Sequence, residues 1–310
     1  MRGAVITGWG VALPDTVVGN DEIARNIDSS NEWIVERTGI RERRIGGTTS
    51  GLAVAAARQA LTSAGVAAAD IDLLVLATTT PDQRVPATSA VVQHALGLRC
   101  GAFDLNAACA GFVYALVAAH GFVAMGADRV LLVGSETLST ITDPFDRGSA
   151  FLFADGAGAV VLEATPGDGQ LLGWDLGCDG SAQPILHCDH GGTIYMEGRE
   201  VFRRAVRATV DSALAALERA KVRAGDIALF VPHQANIRIM ESAANRLGIP
   251  TERMAVVIDR TGNTSAASIP IALAEAADTG RLRPGDLVLL SGFGAGMTWA
   301  SAVLRWGAGR

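Results

Sequence analysis

Residues 56–75 read AARQALTSAGVAAADIDLLV, and residues 212–231 read SALAALERAKVRAGDIALFV. At an offset of 156 they share Ala60 with Ala216, Leu61 with Leu217, Ala64 with Ala220 and Val66 with Val222. They also share Asp70 with Asp226, Ile71 with Ile227, Leu73 with Leu229 and Val75 with Val231. Each copy reads as an amphipathic helix, a short turn and a mostly apolar strand. The match extends outward. DRVLLVG at 128–134 pairs with GDLVLLSG at 285–292 at an offset of 158. Between these stations AACAGFVYALVAA lines up with NTSAASIPIALAEA at 156 to 157. A near-constant offset at three stations marks an internal duplication.

The chain therefore reads as two similar halves, residues 1–165 and 166–310, with a seam in EATPGDGQ at 163–170. Strands alternate with helices, which predicts parallel βαβ units with both sheet faces covered. Two such α/β halves side by side make a five-layer αβαβα sandwich.

Composition removes several function classes. Of 310 residues, 49% are apolar and 19% charged, so a large core is expected and disorder is not. The net charge of −6 comes without a basic tail, which argues against a nucleic-acid partner. The N-terminal MRGAVITGWGVALPD reads as a strand and turn, with no signal-peptide core. The longest apolar stretch, Cys109 to Ala127, contains Tyr114, His120 and glycines, so it reads as a core helix and not a membrane span. Cys100, Cys109, Cys178 and Cys188 form neither a CxxC nor a dense framework, which predicts a reduced, cytoplasmic protein.

In open α/β sheets, sites gather beyond the carboxyl ends of strands. Cys109 follows the strand-like GAFDLN and opens a helix, and at an offset of 156 its counterpart is Ser265, two residues after Asn263. The duplication brings these two loops together. Helix-start N–H groups favour a thiolate, which a nucleophile toward a thioester needs; the alternative is a buried structural cysteine. His233 ends an apolar strand in VPHQAN, where a neutral imidazole can donate to an oxyanion or simply be a satisfied core histidine. Asn263 in TGNTS can donate its amide to the same oxygen or cap a turn. The glycine-rich SGFGAGMTWAS after a strand can aim a backbone N–H into a site. It lacks the GxGxxG and GxxxxGK patterns of phosphate loops. His187, Cys188 and His190 lack further residues at zinc-ligand spacing, so no metal is expected.

SSNEWIVERTGIRERR, AACAGFVYAL, DRGSAFLFADGAGAVVLE, VPHQANIRIM, GNTSAASIP and GFGAGMTW occur in that order along the chain. With these motifs the chain resembles the β-ketoacyl-acyl-carrier-protein synthase III family, condensing enzymes of thiolase fold, over essentially its whole length. The resemblance implies that Cys109 carries an acyl group taken from acyl-CoA. It implies that the backbone N–H groups of Cys109 and Ala295 form an oxyanion hole. His233 and Asn263 then bind the thioester oxygen of malonyl-acyl-carrier protein, and decarboxylation yields an enolate that attacks the acyl-enzyme. Trp33 and Arg147 are expected to sandwich the CoA adenine, with Trp33 an exposed platform. Arg37, Phe202, Asn236 and Arg238 fall around CoA or its pantetheine arm. Arg203, Arg207 and Arg238 are expected to dock the acyl carrier protein.

Val85 in PDQRVP matches the position where a homodimer partner closes the acyl pocket; valine there predicts room for longer or branched primers. The segment CDGSAQPILHCDHGGTIYM departs most from the family pattern and is short, which leaves the channel wall open to question. No metal or redox cofactor is implied, and acyl-CoA and carrier protein are the expected partners. The rival on the same fold is an acyltransferase that passes the acyl group from Cys109 to an alcohol or amine without condensation. A papain-like hydrolase lacks its cysteine signature here, and a non-catalytic subunit is expected to have lost Cys109.

Overall fold

A computed structural model describes residues 2–307; the expected ends of the two halves, residues 1 and 310, lie outside the described residues. The first half runs β1 (Arg2–Ala12), α1 (Asn31–Thr38), α2 (Thr49–Ala64), β2 (Leu73–Ala77), α3 (Thr88–Leu96), β3 (Gly101–Leu105), α4 (Gly111–Ala124), β4 (Arg129–Thr137) and β5 (Asp155–Pro166). The second runs β6 (Leu171–Cys178), α5 (Gly198–Ala220), β7 (Leu229–Pro232), α6 (Ile237–Leu247), α7 (Ser268–Asp278), β8 (Leu287–Gly294) and β9 (Thr298–Arg305).

The first sheet has the order β1-β5-β4-β2-β3 and the second β6-β9-β8-β7. Read from β1 and from β6 the orders coincide, except that among the described residues β3 has no counterpart strand in the second half. There Met254 makes only an isolated bridge to Phe230. The sheets are mixed, not purely parallel as the strand–helix alternation predicted. β2 runs parallel to β3 and β4, and β7 parallel to β8. β5 and β9 run antiparallel to their neighbours. The reason is local: β8 and β9 are joined by a tight hairpin, which permits only an antiparallel return.

Side-chain alternation sets the layers. Leu74, Leu76, Leu131 and Val133 face outward onto Ala53, Ala56, Ala57 and Ala60 of α2. Val75, Ala77, Val130 and Leu132 face inward, with Leu229, Val231, Val288 and Leu290 of the other sheet, onto α4 and α7. Phe230, Leu289 and Val303 pack outward onto α5 and α6. The layers are α2α3, first sheet, α4α7, second sheet, α5α6: the five-layer thiolase fold. Each large apolar side chain removed from water contributes about 1.5–3 kcal/mol. Both sheets are buried on two faces, which is why their central strands read as unbroken apolar runs.

The two central helices approach the opposite sheets closely. A Cβ on Gly134 of β4 would lie 2.5 Å from the Ala266 carbonyl oxygen, and one on Gly292 of β8 would lie 2.8 Å from the Ala110 Cα. Only glycine at these strand positions lets the turns before α4 and α7 reach the middle of the molecule. Among the described residues no helix is long and apolar enough to cross a membrane.

Candidate active site

The turns that precede α4 and α7 are built alike. Asn106 Oδ1 accepts the Ala108 N–H at 3.1 Å, and Asn263 Oδ1 accepts the Ser265 N–H at 2.9 Å. Ala108 and Ser265 both take φ of 47°, a left-handed conformation that costs a non-glycine residue about 1–2 kcal/mol. Each starts a single 3₁₀ turn, Ala108–Ala110 or Ser265–Ala267. The structural offset at this station is therefore 157. The counterpart of Cys109 is Ala266, not Ser265 as the 156 alignment had it. The repeat gains one residue between β7 and α7, and runs of alanine and serine hide where.

Cys109 thus sits within a 3₁₀ turn, ahead of the first residue of α4. The β8–β9 hairpin lies over it: a Cβ on Gly294 would come within 2.5 Å of the Cys109 nitrogen. The Thr298 hydroxyl lies 2.9 Å from the Ala107 carbonyl oxygen and 3.0 Å from that of Ala295. This one side chain pins the hairpin, and with it Ala295, to the cysteine turn.

Burial works against the thiolate that a helix start favours. Burial pushes the Cys109 thiol up to about 12; a Ser265 hydrogen bond opposes the rise and the Glu136 charge adds to it. Buried Glu136 is the counter-feature that sequence reading missed. Its Oε2 accepts from Thr79 N at 3.0 Å, Thr79 Oγ1 at 2.9 Å and Thr80 Oγ1 at 2.7 Å. Burial raises its pKa against those bonds and one from Ser265. Ser265 is thus in reach of both the sulfur and the carboxylate. A glutamate closing the apolar run VLLVGSE was the available signal.

His233 follows β7 and donates its backbone N–H to Ser291 O at 2.7 Å. Its ring is buried, and burial pushes its pKa down to about 3, so the imidazole is neutral at pH 7. Nδ1 lies 2.7 Å from Ser268 Oγ. Asn263 is fixed by its N–H to Leu152 O at 2.9 Å and by its carbonyl, which accepts from Ala154 N at 2.9 Å.

Cys109, His233 and Asn263 line one cavity of about 520 Å³, together with Trp33, Arg37, Phe202, Asn236 and Arg238. Ser30 caps α1 by accepting the Trp33 N–H at 3.2 Å, which aims the indole. Trp33 is half-buried, edge-on to Phe151 with ring centroids 5.2 Å apart; it is not the exposed platform expected beside so many charges. The Arg37 guanidinium lies 4.5 Å from the indole centroid and that of Arg147 5.7 Å. A planar ring between two faces needs about 7 Å, two contacts of roughly 3.5 Å each, so the 5.7 Å between Arg147 and the indole leaves no room for the expected adenine in this arrangement. Asn236 Oδ1 caps α6 by accepting the Arg238 N–H at 2.9 Å, and the Arg238 guanidinium lies 6.0 Å from the Phe202 ring centroid.

The divergent segment closes one wall. Tyr195 pairs with His187 and Met196 with Leu186 in a two-residue ladder, and Leu186 and Met196 face the cavity. Neither residue was singled out by sequence. Val85 is 83% exposed and does not line this cavity. Arg203 grips Glu200 at 2.7 and 3.0 Å, and Arg207 pairs with Asp211 at 3.4 Å. Both border a larger, open concavity of about 690 Å³ that is not lined by Cys109, His233 or Asn263. Phe202 and Phe293 face both cavities and stand between them. Among the described residues no cluster of three metal-ligating side chains occurs.

Residues 103–180 match the family described as 3-oxoacyl-[acyl-carrier-protein (ACP)] synthase III, and residues 217–306 match its C-terminal model. The chain is 48% identical over 326 residues to the β-ketoacyl-[acyl-carrier-protein] synthase III of Roseiflexus castenholzii, covering 99% of each chain. It superposes on the crystal structure of 3-oxoacyl-[acyl-carrier-protein] synthase III from Aquifex aeolicus VF5 with a TM-score of 0.96 at 44% identity, covering 98% of this chain and 100% of that one. It superposes on the priming β-ketosynthase of the R1128 polyketide pathway with a TM-score of 0.94 at 39% identity, covering 100% and 98%.

Proposed function

The chain belongs to the β-ketoacyl-[acyl-carrier-protein] synthase III family, and from that premise we propose how its own residues divide the work. The enzyme is an acyltransferase that condenses an acyl-CoA primer with malonyl-acyl-carrier protein to start a fatty-acid or polyketide chain. The observation that carries the residue assignment is the shared cavity of Cys109, His233 and Asn263.

Cys109 attacks the acyl-CoA carbonyl. The thiol is protonated at rest, so its proton leaves during transfer and ends on the departing CoA sulfur. The N–H groups of Cys109 and Ala295 hold the tetrahedral oxyanion, and Thr298 keeps them facing one point. Malonyl-carrier protein then enters. Loss of carbon dioxide leaves an enolate whose oxygen accepts from His233 and Asn263. Its carbon attacks the acyl group and expels Cys109 as a thiolate, which takes a proton from solvent. Each fixed donor in such a site supplies about 2.7–4 kcal/mol. A neutral His233 suits this role, because it donates without having to be charged.

Trp33, Arg37 and Arg147 take the adenine end of CoA, with Phe202, Asn236 and Arg238 along its arm. Stacking on Trp33 favours planar arginine over lysine. Arg203 and Arg207 exchange their surface partners, half-buried Glu200 and exposed Asp211, for acidic groups of the carrier protein, at small cost because such pairs are weak. β3 pairs with β2 on one side only, so its free edge is the natural seam of a homodimer. Across that seam exposed Val85 would reach the partner's acyl pocket. No metal or redox group enters any step, and the division at residues 165 and 166 and a cytoplasmic site of action complete this reading.

Intact-protein mass spectrometry tests it. A panel of acyl-CoAs is expected to leave an acyl mass on Cys109, discharged by malonyl-carrier protein as β-ketoacyl-carrier protein with loss of carbon dioxide. An adduct indifferent to malonyl-carrier protein, but discharged by an alcohol or amine, would replace condensation by plain acyl transfer.

A further inference from the structure

A neutral imidazole carries hydrogen on one ring nitrogen, and only the Nε2–H form of His233 can donate away from Ser268 into the cavity. We propose that Ser268 sets this tautomer, and so acts as a positioning residue for the enolate-forming step. This rests on the reading of His233 as an oxyanion donor.

The argument is an accounting of hydrogens. Ser268 is 1% exposed and heads α7. Its Oγ accepts the Gln234 backbone N–H at 3.2 Å and lies 2.7 Å from His233 Nδ1. The hydroxyl owns one hydrogen. If Nδ1 were protonated, Oγ would accept twice and its own hydrogen would need an acceptor. Among the described residues no third partner lies within hydrogen-bonding distance. With Nδ1 bare, Ser268 donates to it, accepts from Gln234, and every group is paired. A buried hydroxyl left unmatched costs about 1–3 kcal/mol, enough to decide between tautomers. Gln234 is held in turn: its Nε2 donates to Pro232 O at 2.8 Å and its Oε1 accepts Val257 N at 2.9 Å.

The duplicated half shows the position without this device. Ala77 pairs with Gly134 and Pro232 pairs with Ser291, which places His233 at the register position of Ala77. At the elbow offset of 157, Ser268 matches Gly111. A Cβ on Gly111 would lie 3.4 Å from the Ala77 Cβ. The same close pair is glycine with alanine in one half, and serine with histidine in the half that needs an oriented donor.

The test combines a spectrum with the two half-reactions. In ¹⁵N-histidine-labelled enzyme, the His233 signals are assigned by difference against His233→Gln. They are expected to show a bare Nδ1 and a protonated Nε2, and Ser268→Ala should move them toward a mixture. Acylation by a loading acyl-CoA and discharge by malonyl-carrier protein are then timed separately. Ser268→Ala should slow discharge about 10- to 100-fold more than acylation, below the roughly 10²–10³ of deleting a donor outright. Ser268→Thr keeps the hydroxyl and should restore the ratio to within about threefold. Hydrogen on Nδ1 in the wild type, or equal slowing of both half-reactions in Ser268→Ala, overturns the proposal. If no acyl-CoA loads at all, the reading of the reaction fails, while the tautomer spectrum still decides the part assigned to Ser268.

Discussion

In the first half the chain leaves β3, turns on Ala108 at φ of 47° and presents Cys109; in the second it turns on Ser265 at the same φ and presents Ala266. An asparagine carbonyl props each turn, through Asn106 or Asn263, and a glycine of the opposite sheet receives it. The backbone device is one; the side chains have parted. Cys109 lies in the first elbow; from the second, Asn263 shares its cavity and Ser265 reaches its sulfur. The left-handed turn is thus a way of reaching the centre of the molecule, and does not by itself make a nucleophile.

The largest expected effect breaks the symmetry outright. Cys109→Ala should remove acylation by at least about 10⁴-fold, and adding Ala266→Cys to it should restore none, as read by acyl mass on the intact chain. Recovery through the transplanted thiol would mean that either elbow can host the chemistry. Next comes the native thiol itself. A pKa near 12, against 9.0 for an ordinary thiol, implies about 10³-fold less thiolate at pH 7. Iodoacetamide alkylation of Cys109 should therefore climb through pH 9 without a plateau. A midpoint near pH 7 would show that the helix start outweighs burial.

Asn263 and Asn106 sharpen the comparison. Either alanine variant loses a turn cap, about 1 kcal/mol in denaturant melts. Asn263→Ala should in addition slow condensation about 10²–10³-fold. Asn106→Ala should fall well short of that, and equal rate losses would put Asn263 back among mere caps.

His233 has no titratable counterpart, since Ala77 occupies its place. Its folded pKa of about 3 lies below the usual 6.5. The unfolded chain therefore binds the extra proton first, and stability present above pH 6.5 is lost as pH falls toward 3. The slope from this group approaches 1.36 kcal/mol per pH unit. His233→Gln should flatten that part of a pH–stability curve. Smallest is Gly111→Ser, which puts the serine of the second elbow into the first. Its Cβ would meet only the Cβ atoms of Ala77 and Ala266 across the helix, both at 3.4 Å, so the new hydroxyl bonds at best back to its own turn and should cost about 0.5 kcal/mol, seen as a slightly lower melting temperature.

The layers and the outline of the cavity were legible in the sequence because both depend on periodicity. Strands buried on two faces are continuous apolar runs, and Cys109, His233 and Asn263 each stand beyond a strand or at a helix start. The one-residue slip at Ala266 was not legible: a register made of alanine and serine carries too little information. Glu136, Ser268 and Thr298 were missed because the partners that give them their roles lie on distant segments of the chain. Nothing local distinguishes them from ordinary polar residues. Trp33 was misjudged because Phe151, far along the chain, packs against it at right angles while Arg37 lies over its ring. Leu186 and Met196 became wall residues through a two-residue ladder too short to leave a pattern.

Helices α4 and α7 are apolar on nearly every side and are covered by both sheets at once. Neither half can satisfy its central helix alone. Cut at the seam, each fragment would expose a greasy rod and should aggregate or seek a second copy of itself. The present chain is in effect such a pair made covalent. In two separate identical copies any change to one elbow is forced on the other. Joined in one polypeptide the two elbows are free to differ, so that Cys109 stands in one and Ala266 in the other.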